Sequence, residues 1–241
     1  MEYPLKKDTK KYKSILCLSD IHAPYAHPDM VRFLKAVKAK YKPDCVVGIG
    51  DEVDYHALSF HDSDPDLDSA GTELQKAIKC LRPLYKMFPK VTVIESNHGS
   101  MVLRKALHAG IPTKAIKTYN DTLEAPKGWK WVFDIRINTE LGPVYFCHGK
   151  TSAPGRLASQ YGCSAVQGHF HERAQIHYIS TPDKLMFDAH IGCLADDSSL
   201  ALGYNKINVK RPIVSVLIIE RGVPHLIPMI LVKGGRWKGR V

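Results

Sequence analysis

The sequence predicts an α/β protein in which two stacked mixed β-sheets are flanked by helices, and three observations predict it. Up to about residue 120, short apolar runs alternate with helical periodicity in a βαβα order. From Trp129 onward, short alternating segments dominate. Several early runs are apolar almost throughout, and such strands need cover on both faces. At 241 residues the chain fits one domain, 1–241, with a basic segment at about 1–13 and a basic tail at about 233–241.

Ser14 to Ser19 is the first buried strand. Pro28 then opens a helix through Lys40 with Met30, Phe33, Leu34 and Val37 on one face. Asp44 to Ile49 and Val91 to Ile94 are further strands, separated by a polar loop from Tyr55 to Ser69 and a helix from about Gly71 to Met87. Helical periodicity returns from His98 to about Leu107 and again near Thr113 to Tyr119. The later strands are expected at Lys130–Asn138, Pro143–Cys147, Ala165–Gln167, Ala174–Ile179, Leu185–His190, Ile213–Ile219 and His225–Leu231, with a helical turn near Arg156 to Tyr161.

Composition excludes several classes. The lysine-rich start is followed by only a short apolar run before Asp20, which is neither a signal peptide nor a membrane span. Six cysteines without a C-x-x-C pair read as free thiols of a reducing, cytoplasmic compartment rather than as a disulfide framework. The formal charge of +10 raises the local concentration of polyanions and phosphorylated substrates, so nucleic acid is a candidate partner. Much of the excess is terminal, and solvated tails account for it as well.

The chemistry concentrates where strands end. Asp20 and His22, Asp51, Asn97, His148, and His169 with His171 each follow a strand-like run. In open α/β sheets, ligands bind beyond the carboxyl ends of the strands. Carboxylate, imidazole and one amide oxygen suit a hard-to-borderline divalent cation, and seven donors are too many for one ion with an open position. Two ions sharing a carboxylate is the economical arrangement. Singly, each fragment reads as a turn or a helix cap.

Together the order is Asp-x-His, Gly-Asp-x-x-Asp, Asn-His, His-Gly and Gly-His-x-His, and it resembles the calcineurin-like metallophosphoesterase superfamily from about Ser14 to His171. The resemblance implies a four-layer αββα sandwich and a metal-dependent hydrolase of phosphate esters, a phosphatase or phosphodiesterase. It implies that Asp20, His22 and His171 hold one metal, that Asn97, His148 and His169 hold a second, and that Asp51 bridges them. His98 matches the general acid, and Asp54 the carboxylate that orients it. Such a bridge, with ions about 3.5–4 Å apart, traps a water between them and aims it at phosphorus. Manganese is expected by family habit, although this donor mixture also accepts iron, zinc, nickel or cobalt.

The chain departs from the protein-phosphatase branch of the pattern. Tyr55 stands where that branch carries a phosphate-gripping Arg, and Ser96 and Gly99 flank Asn97-His98 in place of Gly and an acid. Arg104, Lys150, Arg156 and Arg173 are candidates for phosphate contacts, each with an ordinary surface role as the alternative. His56, His61, Asp62, Asp64, Asp66 and Asp68 read as a solvated loop with capping residues, not a third metal site. Trp129 and Trp131 read as packing rather than base stacking. Two alternatives accompany the phosphoesterase: a metal-dependent nuclease of the same superfamily, and a non-catalytic scaffold on this fold. No membrane partner is expected, and the sequence does not fix the oligomeric state.

Overall fold

The computed structural model describes residues 5–59, 66–196 and 211–241. The first helix, α1 (Met30–Tyr41), buries Met30, Phe33, Leu34 and Val37, the four residues its periodicity marks. Helix α2 (Ala70–Met87) begins at Ser69, whose side chain accepts from the amide of Thr72 and so satisfies one of the free N–H groups of the first turn.

Four strands lie parallel and side by side: β2 (Ser14–Leu18), β3 (Cys45–Gly48), β4 (Val91–Ile94) and β5 (Trp129–Val132). Antiparallel β11 (Ser215–Glu220) and β12 (Val223–Pro228) extend this sheet beyond β2, in the order β12-β11-β2-β3-β4-β5. Beyond β4 come α3 (Met101–His108) and α4 (Tyr119–Thr122).

The second sheet has the order β1-β6-β7-β8-β10-β9. Its members are β1 (Lys6–Lys11), β6 (Ile135–Thr139), β7 (Gly142–Cys147), β8 (Ser164–Gln167), β9 (Ala174–Ser180) and β10 (Leu185–Ile191), with α5 (Arg156–Tyr161) between β7 and β8. The pairing is mixed: β7, β8 and β10 run parallel, β9 runs against β10, and β6 runs against β7 but parallel to β1.

Apolar side chains sort into three layers. Leu16, Leu18, Phe33, Leu34, Leu81 and Leu84 pack between α1, α2 and the β2 sheet. Ile15, Cys17, Val47, Ile94, Phe146, Val166 and Ile219 fill the space between the two sheets. Tyr145, Leu157, Ala158 and Ala165 join α5 to the β7 sheet. Strands covered on both faces explain the near-continuous apolar runs, and each fully buried Leu, Ile or Phe contributes about 1.5–3 kcal/mol. This is the four-layer αββα arrangement expected from the sequence.

Two expectations are corrected. Lys130–Asn138 is not one strand: β5 and β6 belong to different sheets. Val132 and Ile135 both face the inter-sheet layer although three residues apart, which a single strand of period two cannot do. Asp134, buried at the break, accepts the Tyr145 hydroxyl at 2.7 Å and Lys150 at 3.1 Å. The Thr113–Tyr119 helix is a 3-10 turn at Thr113–Ala115 followed by α4, because Thr118 caps a new start by accepting from Asp121 N.

The basic segment at about 1–13 carries β1, an edge strand parallel to β6 and held by backbone bonds with almost no side-chain burial. Lysines on a sheet edge discourage further pairing. The tail at about 233–241 contains half of a small hairpin, β13 (Leu231–Val232) with β14 (Arg236–Trp237), turning at Gly234-Gly235. Trp237 packs edge-on against Phe33 at 5.6 Å, and Arg236 grips the buried Asp29. All six cysteines are free, and no described helix is long and apolar enough to cross a membrane.

Candidate metal centre

The parallel strands deliver the ligand candidates to one edge. Asp20 and His22 follow β2, Asp51 follows β3, Asn97 follows β4, His148 follows β7, and His169 and His171 follow β8. One sheet supplies four and the other three. Asp20, His22, Asp51 and His169 all have positive φ, between 48° and 68°, in the left-handed region that non-glycine residues seldom occupy. Residues held there by their surroundings gather at functional sites.

Close approach needs glycine at two points. A Cβ on Gly50 would lie 2.6 Å from Ser96 Cβ and 2.8 Å from His148 Nδ1, and one on Gly168 would collide with Ser19 and Asp20. Backbone amides fix the carboxylates: His169 N donates to Asp20 at 3.0 and 3.1 Å, and His98 N to Asp51 Oδ1 at 3.1 Å. Ser19 Oγ also donates to Asp20.

Three overlapping groups place ligand atoms within 4.8 Å of one another: Asp20, His22 and His171; His22, Asp51 and His98; and Asp51, His148 and His169. Asn97 Oδ1 joins the last group, 2.7 Å from His148 Nε2. The seven ligand candidates are therefore brought together, with Asp51 and His22 each shared between two groups. Asp20, His22, Asp51 and His148 are buried, whereas Asn97 and His169 are open to solvent.

The protonation pattern tests whether this set fits a cation. His22 Nδ1 faces Asp54 Oδ1 at 2.6 Å and His148 Nδ1 faces the Ile49 carbonyl at 2.8 Å. Both partners accept only, so the ring proton belongs on Nδ1 and the Nε2 lone pair points into the cluster. There His22 Nε2 meets His171 Nε2 at 3.1 Å, and His148 Nε2 meets Asp51 Oδ2 at 3.2 Å. Lone pairs facing one another at these separations repel unless a cation or a proton lies between. Donors bound to one ion at about 2.1 Å stand about 3 Å apart. The set fits divalent metal.

Electrostatics show the demand for positive charge at this point, which a proton on His148 or a cation meets. Burial opposes the charge of Asp51, but His148, His98 and His22 outweigh it and hold the carboxyl well below its usual range. Burial likewise disfavours a charged His148, yet Asp51 and Asp20 push its pKa up to about 9. His171 is raised, burial being outweighed by Asp20, and His169 is lowered by burial and His148.

Asp54 touches both His22 and His98. Its carboxylate serves His22, and it is the Asp54 main-chain oxygen that lies 2.5 Å from His98 Nδ1, the carboxylate being 3.8 Å away. His98 packs edge-on against His22 with ring centres 4.7 Å apart. Tyr55 is buried among the apolar side chains of the α1–α2 layer. Arg104 donates to the Asn97 carbonyl at 2.7 Å. Lys150 is committed to Asp134, Tyr145 and Tyr161, and Arg173 to Ser152 and Glu172. Beside Asn97, His148 and His169 opens a cleft of about 500 Å³ lined by Ser100, Arg104, Phe133 and Lys150. His61, Asp62 and Asp64 of the polar loop lie outside the described residues, and Asp68 pairs with Lys76.

Two residues of the site were given no role from sequence, although Ser96 stood out as a departure from the family pattern. Ser96 Oγ accepts from the amides of both Asp51 and Gly99, at 2.9 and 3.1 Å, and so ties two ligand loops together. Glu52 is buried beside Asp51, held by Trp131 Nε1 at 2.9 Å, and burial pushes its pKa up to about 7. Adjacency to a ligand was their only shared sequence signal.

Strand-end ligands shared between two sheets of an αββα sandwich define a metal-centre class of α/β protein. Within that class, the chain belongs to the calcineurin-like phosphoesterase family, whose model matches residues 13–215. No curated protein matches the chain significantly. Similar solved structures include the phosphoesterase Yfce from E. coli, at 14% identity over 86% of this chain and 88% of that one, TM-score 0.46. Vps29 from Chaetomium thermophilum is 10% identical over 93% of each chain, TM-score 0.50. Vacuolar Protein Sorting 29 from Cryptosporidium parvum is 12% identical over 91% and 97%, TM-score 0.44.

Proposed function

We propose that this chain is a phosphatase or phosphodiesterase working with two divalent ions, manganese first among them. Asp20, His22 and His171 would hold one ion, Asn97, His148 and His169 the other, and Asp51 both. The observation that carries the reading is that Asp51 belongs to two ligand groups at once. Bound there, divalent ions supply Lewis acidity toward phosphoryl oxygens and acidify a water.

The chain's own residues do the rest. Asp54 and the Ile49 carbonyl accept hydrogen bonds from Nδ1 of His22 and His148 and so aim the two Nε2 atoms inward, toward a cation. His98, with Nδ1 given to the Asp54 carbonyl, has Nε2 left to pass a proton to the leaving oxygen. The cleft beside Asn97 and His169 has room for the organic part of the ester. Six free thiols suit a reducing, cytoplasmic setting.

The test uses p-nitrophenyl phosphate and its bis-ester with metal-stripped protein, before and after manganese is returned. Hydrolysis should need the metal. Hydrolysis that persists in both Asp51→Asn and His98→Ala overturns the mechanism, and a fully loaded protein with no activity on either ester favours the scaffold reading.

A further inference from the structure

The pole opposite the metal centre carries a second site that the proposed hydrolysis does not use. A cleft of about 800 Å³ runs across the start of the β2 sheet, lined by Lys10 and Tyr12 ahead of β2, Asp44 and Cys45 at β3, Lys90 and Val91 at β4, and Lys127 and Lys130 at β5, with Lys38 reaching in from α1. Four of the ligand candidates, Asp20, His22, Asp51 and Asn97, follow the far ends of β2, β3 and β4. Strands of four or five residues put the two sites about 15 Å apart or more.

All five lysines of this cleft are exposed. None forms an ion pair among the described residues. Lys38 donates to the Met87 carbonyl at 2.6 Å, which leaves its charge uncompensated. The two acids nearby are held by neutral donors rather than by these lysines: Asp44 accepts from the amides of Lys13 and Ser14, and Asp8 from Lys10 N and the Tyr12 hydroxyl. Five lysines against the two carboxylates of Asp44 and Asp8 leave an excess of positive charge concentrated along the trough.

We propose that this lysine trough binds the phosphate backbone of a nucleic acid strand. Four adjacent strands at about 4.8 Å spacing give it a length of about 15 Å, enough to follow a few successive phosphates of a single strand. Its concave shape suits an extended polyanion better than a flat lipid surface. Contacts of this kind carry no sequence information, so binding is indifferent to sequence and steeply dependent on salt. The site is independent of the metal centre and stands whether or not the chain hydrolyses phosphate esters.

Fluorescence anisotropy with a labelled single-stranded oligonucleotide, in EDTA and across a salt series, tests it. The comparison is wild type against Lys90→Glu/Lys127→Glu/Lys130→Glu. Removing three contacts should weaken binding roughly 100-fold at 0.1 M salt and lower the log–log salt slope by about two. The conservative Lys→Arg triple should bind like wild type, and both triples should melt within a few degrees of it. Absence of binding by wild type at low salt overturns the proposal. So does a Glu triple that is folded yet binds with unchanged affinity and slope, or binding to anionic vesicles in preference to the oligonucleotide.

Discussion

Asp29 and Asp51 are both buried carboxylates, and the difference in what surrounds them separates a structural cluster from a functional one. Asp29 receives two hydrogen bonds from Arg236, at 2.6 and 2.7 Å, one from Arg32 at 2.8 Å and one from the Trp237 amide at 3.0 Å. Permanent cations and an N–H saturate it, and its pKa is held well below the carboxylate range by Arg236 first. Asp51 has one amide and a ring of imidazoles, and no lysine or arginine pairs with it or with Asp20 among the described residues. One cluster carries its own countercharge. The other leaves lone pairs converging on a point, an arrangement completed by something from outside.

The sharpest way to break this contrast is Asp51→Asn, which keeps the shape and removes the shared charge. Metal-dependent hydrolysis should fall about 10³-fold or more, with less metal retained by elemental analysis and little change in melting temperature. His98→Ala should lower kcat by about 10²–10³-fold while the metal content stays at the wild-type level. Loss of metal in that variant would make His98 a ligand instead. Ser96→Ala removes the acceptor that joins the Asp51 and Gly99 amides, and metal affinity measured by competition with a chelator should drop about 10-fold.

Effects at Asp29 should appear in stability alone. Arg236→Ala should lower the melting temperature by about 3 °C and leave metal binding unchanged. Because the Asp29 pKa is depressed in the fold, its stabilisation is present above the unfolded carboxylate value of about 4 and is lost as pH falls through that value toward the folded one. Melting temperatures taken down through that acidic range should decline less steeply for Arg236→Ala than for wild type. Parallel declines would place the acid sensitivity elsewhere.

The contrast also shows what was legible in sequence. Asp20, His22, Asp51, Asn97, His148, His169 and His171 could be found because local order encodes them: each directly follows an apolar strand, and parallel strands bring such positions to one edge. Asp29 and Arg236 could not, since their pairing spans most of the chain and nothing near either residue announces the other. The layers followed from apolar periodicity, as with the four buried residues of α1. β1 was hidden because its sequence, KKDTKK, buries almost nothing and is a strand only through its bonds to β6. The break between β5 and β6 left a trace, the three-residue step from Val132 to Ile135, visible once the period is counted. The contacts of Asp54 were less legible for a simpler reason: a residue has a carbonyl as well as a side chain, and sequence does not say which faces a neighbour.

Division of the donor set between two sheets makes the centre a proofreader of assembly. Residues 20–97 reach it from one sheet and residues 148–171 from the other. Neither half of the chain holds a complete set, and a one-residue slip of either sheet moves its donors by about 3.3 Å, more than the separations that bring them together. Whatever ion or ligand occupies this edge would therefore recognise only a correctly registered molecule, and its retention would report on the alignment of two layers that share no backbone hydrogen-bond ladder.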